Sequence, residues 1–531
     1  DGTRMLFSKL ESFADVIPVA MSSYNIRFVD QMRTICGNPD VIVNVLPFRF
    51  MAGPMGGDSV SAVGLLKDLD ATLLSPFFLT KSTREEWESS DQGVNAMEFM
   101  LNIFLPELDG ALCTIPIGFT EETERTDGFG ISLSEIRPLE ERVDRLAGKV
   151  RRYLELRHRP IPERRVALIS YNYPPGEGNL FGGSFLDGAG SIANITSALH
   201  DAGYSVDPMT SDQVVDEFLG RGILNDGEWI EPSEGIVTFK GTRKHPDAVT
   251  ERWGPAPGRV MTRHGGYIIP GLINGNLFIG LQPPRGGDPV ETAESYHDVS
   301  IPPHHQYLAM YEWIRDEFRA DAVIHLGTHG TLEFLPGKDC APSGDCYPDM
   351  VMDDMVHIYA YYAGNPSEAM IAKRRTHACL VSYMPPAFTR SGLYGEMVEL
   401  EDLIAEYRES SRTDPGRAQA VLGSIVSKAR ELRLPEDVEE LEDELVSIRE
   451  SLIPIGLHAF GSALSEDEAV TYAVNAMAFP HDSVPPMSEG FPRIGAEEAE
   501  SILRRFIDDG TVPDGIPETG KACLLYTSDA A

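Results

Sequence analysis

Long apolar runs, an excess of basic side chains and closely paired cysteines are all missing from this chain of 531 residues. No stretch reaches the roughly 18 apolar residues that a membrane-spanning helix needs, so no membrane span is expected. Asp and Glu number 82 against 45 Lys and Arg, which gives a formal charge of −37. A nucleic-acid partner is therefore not expected, because such proteins present a basic face to the phosphate backbone.

Cysteine is sparse: six residues, with no Cys-x-x-Cys pair among them. Sparse cysteine in a long chain is typical of a reducing compartment, and no secretory signal is evident, so we expect a cytoplasmic protein. Cys340 and Cys346 flank a turn, where a metal or redox role is an alternative to a structural one. Zinc-binding cysteine pairs usually stand closer together in the sequence.

Three nucleotide and metal motifs are also absent. Gly337-Lys338 lacks both the upstream glycine and the following hydroxyl of a phosphate-binding loop. The glycines near residue 180 approach a dinucleotide fingerprint, but Phe181 stands where its third glycine belongs. The metalloprotease pattern His-Glu-x-x-His does not occur. If ATP supports the function of this protein, another chain is expected to hydrolyse it.

Residues 321–338 are the most informative part of what is present. An apolar strand leads into a glycine-rich turn that carries His325, His329 and Glu333. Imidazoles and a carboxylate can take up protons and hold a divalent metal near neutral pH. Glycines permit a tight turn and the close approach of a bulky ligand. The alternative is a structural pair, in which His329 hydrogen-bonds the backbone of the turn.

The order of the predicted elements favours an α/β fold with several domains, in which parallel-type sheets are flanked by helices. A charged helical segment is predicted near the C-terminal end. The predicted divisions are an α/β domain with a connector helix over 1–158, an α/β domain carrying the His325 loop over 159–395, a helical segment over 396–465 and a partial region over 466–522.

Both ends of the chain are unusual. It begins at Asp1 rather than at a methionine, and residues 523–531 resemble translated sequencing-adapter DNA. We therefore expect the chain to be a fragment of a longer protein and exclude 523–531 from fold reasoning.

Nine short motifs follow one another in order, at residues 105–110, 172–179, 280–286, 302–307, 325–338, 345–349, 365–368, 372–375 and 392–394. Together they resemble the large subunit of ATP-dependent metallochelatases, the family of the cobaltochelatase subunit CobN and the magnesium chelatase H subunit. The resemblance covers roughly residues 40–420.

The resemblance implies an enzyme that binds a tetrapyrrole and inserts a divalent metal, while AAA+ partner subunits consume ATP. Glu333 matches the family's glutamate implicated in metalation, and His325 and His329 match the histidines of the same motif. The chemistry agrees, because a free-base macrocycle must lose two pyrrolic N–H protons, and a carboxylate and neutral imidazoles can accept them and hold the metal in transit.

Four basic residues are predicted to bind the macrocycle. Lys373, Arg374 and Arg375 could pair with its carboxylates or with a partner subunit, and His305 is a weaker candidate. The alternatives are a solvated helix face for the first three and a helix cap for His305. The tyrosines at 359–362 are interpreted as core residues rather than as a platform for the macrocycle.

The metal stays open between two branches of the family. Co²⁺ insertion in cobalamin biosynthesis is favoured because that pathway is more widespread. Mg²⁺ insertion into protoporphyrin IX, for chlorophyll or bacteriochlorophyll biosynthesis, is the first alternative. A non-catalytic tetrapyrrole carrier or sensor is the second, and an independent metallohydrolase with tightly bound zinc is the third.

Overall fold

The structure is a computed structural model. It describes residues 2–20, 34–50, 59–123, 133–172, 179–225, 237–286 apart from 242, 298–327, 330–362, 365–383, 396–413 and 415–432, with isolated positions elsewhere. The chain divides into two compact units, Asp1–Tyr383 and Met384–Ala531. The domain boundaries predicted from the sequence stay predictions.

The strands of the first unit are short. In chain order they are β1 (Val41–Val43), β2 (Thr72–Leu74), β3 (Phe77–Leu79), β4 (Pro116–Thr123), β5 (Leu133–Pro138), β6 (Val166–Ser170), β7 (Val237–Phe239), β8 (Thr262–Arg263), β9 (Gly266–Ile269), β10 (Gly271–Asn274), β11 (Leu277–Leu281), β12 (Ala322–Leu326), β13 (Val356–Tyr361) and β14 (Cys379–Ser382).

Helices connect and cover these strands. In chain order they are α1 (Gly2–Glu11), α2 (Ser59–Leu69), α3 (Arg84–Ser89), α4 (Ala96–Phe99), α5 (Leu105–Glu107), α6 (Glu140–His158), α7 (Gly188–Asp201), α8 (Ser211–Gly220), α9 (Asp247–Trp253), α10 (His305–Glu312), α11 (Tyr347–Met352) and α12 (Pro366–Thr376). Two π-helical turns extend helices, Met100–Phe104 after α4 and Trp313–Glu317 after α10, and 3₁₀ turns form at Ile161–Glu163 and Leu332–Phe334.

The largest sheet has six strands in the order β10-β11-β6-β12-β13-β14. All neighbours run parallel except β10 and β11, which are antiparallel. Every residue of β6 and of β11 is buried, as expected for parallel strands covered on both faces. One core cluster, which includes Ile169, Phe278 and Val323, packs between this sheet and α10. These sheets and helices confirm the predicted α/β class.

The strand order places a topological switch point at the carboxyl ends of β6 and β12. After β6, the chain next enters this sheet at β10 and β11, which lie on one side of β6. After β12, it continues to β13, which lies on the opposite side. Open α/β sheets bind ligands where neighbouring connections diverge in this way. The His325 loop begins at this point, because His325 is the fourth residue of β12.

Smaller sheets surround this centre. β1 pairs with β2, β3-β4-β5 forms a three-stranded sheet, and β7-β9-β8 forms another. The predicted connector helix is α6, whose buried Val143, Leu146 and Val150 pack in one cluster with Leu74 and Ile117. It is amphipathic, so its charged face remains available for ion pairs.

The second unit contains the charged helices predicted near the C-terminal end. α13 (Glu396–Thr413) and α14 (Pro415–Glu431) pack against each other through an apolar cluster that includes Leu400, Ile404 and Ile425. Across both units, the described helices include none that combines the length and hydropathy of a bilayer-spanning segment.

Candidate functional site

Two of the three predicted catalytic residues lie close to the topological switch point at the end of β12. His325 is part of β12 itself rather than of the following loop, and Glu333 lies on the 3₁₀ turn Leu332–Phe334. Both side chains are 0% exposed. His329 lies outside the described residues, so its predicted role stays a prediction.

Both ring nitrogens of His325 have hydrogen-bond partners. Nε2 lies 2.8 Å from the Tyr311 hydroxyl, and Nδ1 lies 2.8 Å from Nε2 of His357. Burial lowers the pKa of His325 to about 3, so the ring is neutral at physiological pH. A bond from His325 to a metal would require one of these hydrogen bonds to break.

The two carboxyl oxygens of Glu333 differ in their surroundings. Oε1 accepts a hydrogen bond of 3.1 Å from the Tyr359 hydroxyl, whereas Oε2 is buried and has no hydrogen-bond partner among the described residues. Burial raises the pKa of Glu333 to about 8. A buried oxygen without a partner is costly, and such atoms are often functional. Oε2 can accept a proton or contact a cation.

Tyr359 joins Glu333 to two other parts of the chain. Its hydroxyl lies 2.5 Å from the Tyr171 hydroxyl, and it accepts a hydrogen bond of 3.0 Å from the Gly330 backbone N–H. A Cβ atom at Gly330 would lie 2.6 Å from the Tyr171 oxygen and 2.8 Å from the Tyr359 oxygen. The glycine therefore lets two tyrosines approach the backbone, whereas the sequence predicted room for a bulky ligand.

Gln282 ties the histidine side of the site to the loop. Its Oε1 accepts from the Thr331 backbone N–H at 2.5 Å and from the Thr331 hydroxyl at 2.9 Å. Its Nε2 donates to the Tyr311 hydroxyl at 3.0 Å. Tyr311 in turn contacts His325, so one buried amide links the start of the loop with the segment just before Glu333.

Arg375 holds the loop through its backbone. The guanidinium donates to the carbonyl oxygens of Glu333, Leu335, Gly337 and Lys338. It is 3% exposed, and burial lowers its pKa. This use of four N–H groups differs from the predicted contact with macrocycle carboxylates, and that contact stays a prediction.

The other predicted macrocycle-binding residues are spread over the unit. Arg374 forms an ion pair with Glu107 at 2.8 Å. Lys373 is half-buried and forms no hydrogen bond or ion pair with the residues that the structure describes. His305 is buried, with Nδ1 at 2.7 Å from Nδ1 of His245 and Nε2 donating to the Gly254 carbonyl at 2.8 Å. His304, its neighbour, is the N-cap of α10.

Sequence reasoning missed five residues of this site: Tyr171, Gln282, Tyr311, His357 and Tyr359. Tyr359 is buried, as the core interpretation expected, but its hydroxyl contacts Glu333. The one signal present in the sequence was the motif at 280–286, which contains Gln282. Across the described part of the chain, no three His, Cys, Asp or Glu side chains converge as a metal site.

Three comparisons with known proteins relate this fold and site to others. A family profile described as CobN/Magnesium Chelatase matches residues 3–510. The magnesium-chelatase subunit ChlH of Oryza sativa subsp. indica is 32% identical over 526 residues, which cover 92% of this chain and 37% of that protein. The aerobic cobaltochelatase subunit CobN of Pseudomonas aeruginosa is 34% identical over 406 residues, covering 72% of this chain and 32% of that protein.

A solved structure, the catalytic subunit of cobaltochelatase from Mycobacterium tuberculosis, aligns with a TM-score of 0.65 and 27% identity. The alignment covers 99% of this chain and 46% of that one. The chain thus spans less than half the length of these relatives. As its ordered motifs predicted, the chain belongs to the CobN/magnesium chelatase family.

Proposed function

We propose that this chain is the part of a large metallochelatase subunit that carries the metal-insertion site. The observation that supports this most directly is the buried Glu333 carboxyl, whose Oε2 has no partner among the described residues. Tyr359 links it to the end of β12, because the Tyr359 hydroxyl bonds Glu333 and the Tyr359 ring contacts the neutral His325. Names of relatives from both branches of the family agree with metal insertion into a macrocycle.

Glu333 is the proposed proton acceptor. The two pyrrolic N–H protons must leave as the metal enters, and a carboxylate within hydrogen-bond reach can take one up. Glu333 carries a proton near neutral pH because burial raises its pKa to about 8. A nearby divalent cation favours the ionised carboxylate, so on arrival of the metal substrate this proton passes to solvent and the carboxylate can then accept a pyrrolic proton. His325 and His329 are proposed to assist in holding the metal in transit. To bind the metal, His325 would have to break its hydrogen bond with Tyr311 or with His357.

The proposed substrates are a tetrapyrrole and Co²⁺, with Mg²⁺ as the alternative metal. Of the three basic residues on α12, Lys373 is the best candidate to pair with a macrocycle carboxylate, because Arg374 and Arg375 are occupied by Glu107 and by loop carbonyls. AAA+ partner subunits are proposed to hydrolyse ATP, and the cytoplasm is the proposed location.

The test uses the protein at the full length of its relatives, with its AAA+ partners and ATP. Binding of a free-base tetrapyrrole is followed by fluorescence quenching, and metalation is followed by absorbance with Co²⁺ and Mg²⁺ offered in parallel. Glu333→Gln is expected to lower metalation by about 100-fold or more, since general bases contribute that much, while macrocycle affinity changes little.

Glu368→Gln is the matched control, because this neighbouring carboxylate accepts from Tyr361 instead. Metalation by Glu333→Gln at the wild-type rate would refute the assigned role. Macrocycle binding without metalation by the wild type would support a carrier or sensor. Bound zinc with hydrolytic activity in the absence of ATP would support a metallohydrolase.

A further inference from the structure

We propose that Tyr359 is a positioning residue for Glu333, holding Oε1 so that Oε2 is the carboxyl oxygen that meets the macrocycle N–H. The inference rests on the proposed function. It assigns a role to a tyrosine on β13, a strand that the metalation motif does not include.

The bonding capacity of one hydroxyl determines how these groups are arranged. A tyrosine hydroxyl has one hydrogen to donate and two lone pairs to accept. The Gly330 N–H can only donate, and an ionised carboxylate can only accept. Once Glu333 is ionised, as it must be to accept a proton, Tyr359 therefore donates to it and the Tyr171 hydroxyl donates to Tyr359. All three positions around the oxygen are filled, so the hydroxyl has one orientation.

The tyrosine is also held rigidly by its strand. Tyr359 pairs with His325 across β12 and with Leu380 across β14, so its backbone is fixed on both sides. Its ring contacts the Tyr361 ring at a centroid distance of 4.8 Å and the His325 ring at 5.4 Å. Glu333, in contrast, lies on a three-residue 3₁₀ turn. Precise sites depend on groups that rigid elements hold in place.

The bond to Tyr359 gives the two carboxyl oxygens of Glu333 different roles. A carboxyl group without this contact could rotate and present either oxygen. With Oε1 bonded to Tyr359, only Oε2 remains without a described partner. Proton transfer needs donor and acceptor within hydrogen-bond reach, so a fixed Oε2 raises the fraction of bound macrocycle that is ready to react.

The experiment compares Tyr359→Phe with Tyr361→Phe in the full-length protein with its partners. Each variant removes one hydroxyl from β13, and the Tyr361 hydroxyl bonds Glu368 instead of Glu333. Tyr359→Phe is expected to lower kcat for metalation by about 10- to 100-fold, the usual effect of removing such an outer partner, with macrocycle Kd within about twofold of wild type. Tyr361→Phe is expected to keep the wild-type kcat.

A double-mutant cycle tests whether Tyr359 acts through Glu333. In the Glu333→Gln background, Tyr359→Phe is expected to have no further effect on the residual rate. If Tyr359→Phe does not fold, Tyr171→Phe takes its place, because it leaves the Tyr359–Glu333 bond intact and is expected to give a smaller loss of kcat.

The outcomes separate the two proposals. A wild type that metalates, with kcat unchanged in the tyrosine variant used, would overturn the positioning role alone. Equal losses in Tyr359→Phe and Tyr361→Phe, or full additivity with Glu333→Gln, would also overturn it. A wild type that binds or metalates no tetrapyrrole would overturn the proposed function and this inference together.

Discussion

Glu333 and His325 are both uncharged at neutral pH, although one is an acid and the other a base. Burial raises the pKa of Glu333 to about 8 and lowers that of His325 to about 3. Two charged groups in this interior would need compensating partners, and the described residues supply none to Glu333 Oε2. Ionisation of Glu333 in this interior would therefore be favoured by a nearby cation.

The raised pKa of Glu333 predicts how stability depends on pH. The folded pKa of about 8 lies above the ordinary value of 4.5, so this group's contribution to stability is complete below pH 4.5 and is lost as pH rises to 8. Glutamine cannot ionise. Wild type is expected to lose a few kcal/mol relative to Glu333→Gln between pH 5 and pH 8.5, at about 1.4 kcal/mol per pKa unit.

Urea denaturation at several pH values measures this difference. Parallel stability curves for the two proteins across that range would show that the Glu333 carboxyl titrates normally and is not buried as described. Glu368→Gln removes a half-buried neighbouring charge that raises the pKa of Glu333, so it is expected to shift the loss of stability to lower pH.

At the scale of the element, α12 holds the loop that follows β12 through side-chain to backbone hydrogen bonds. Arg375, near the end of that helix, donates to four carbonyls between Glu333 and Lys338. The planar guanidinium suits this task because its N–H groups point in several fixed directions. The basic motif at residues 372–375 was expected to contact the substrate. It includes Arg375, whose hydrogen bonds instead go to the backbone of the loop.

Arg375→Lys is expected to loosen this loop. A lysine ammonium cannot span four carbonyls, so some buried oxygens lose their donor at a cost of about 1–3 kcal/mol each. Hydrogen exchange of the backbone amides at 333–338 is expected to speed up. Arg374→Lys keeps a charge beside Glu107 and is expected to leave that exchange unchanged. Equal exchange rates of these amides in Arg375→Lys and Arg374→Lys would contradict the proposed hold of Arg375 on the loop.

At the scale of the whole molecule, the first 158 residues help to hold the segment that follows β12 within one compact unit. Lys338 Nζ donates to the carbonyls of Glu88 and Ser90, and the Trp87 indole N–H donates to the Ala341 carbonyl. The predicted boundary at residue 158 therefore separates stretches of chain that share buried hydrogen bonds.

A buried ion cluster makes a second connection of this kind. Asp349 on α11 lies 3.0 Å from Arg142 and 3.2 Å from Arg145 of α6, and 3.3 Å from His377. Although burial opposes its ionisation, the His377 hydrogen bond and the two arginines hold the pKa of Asp349 below its ordinary value. Asp349 is thus a buried anion with three partners.

Asp349→Ala is expected to destabilise the first unit by about 3–5 kcal/mol, because it removes the fully buried carboxylate of the cluster and leaves Arg142 and Arg145 with the more exposed Glu141 and Asp353. Calorimetry is expected to show a lower Tm with the unit still unfolding in one transition. Asp354→Ala removes a partly exposed ion pair with Arg152 and is expected to cost less than about 1 kcal/mol. A split into two transitions would show that residues 1–158 unfold independently.

Local sequence determined a good part of this protein. Apolar runs identified β6 and β12, and the motif at 325–338 identified His325 and Glu333, because all of these signals lie within a few consecutive residues. The family could be recognised for the same reason, since its motifs are short and ordered, and the comparisons confirm it.

Tertiary structure decided which groups complete the site. The order β10-β11-β6-β12-β13-β14 brings Tyr171, which follows β6, and Tyr359 of β13 next to Gly330 of the loop, and no local pattern encodes that pairing. Tyr171 and Tyr359 are 188 residues apart in sequence, yet their hydroxyls lie 2.5 Å apart. Burial, which sets the pKa of Glu333, likewise comes from spatial neighbours. A sequence shows which side chains can do chemistry, whereas only packing determines their partners and their charge.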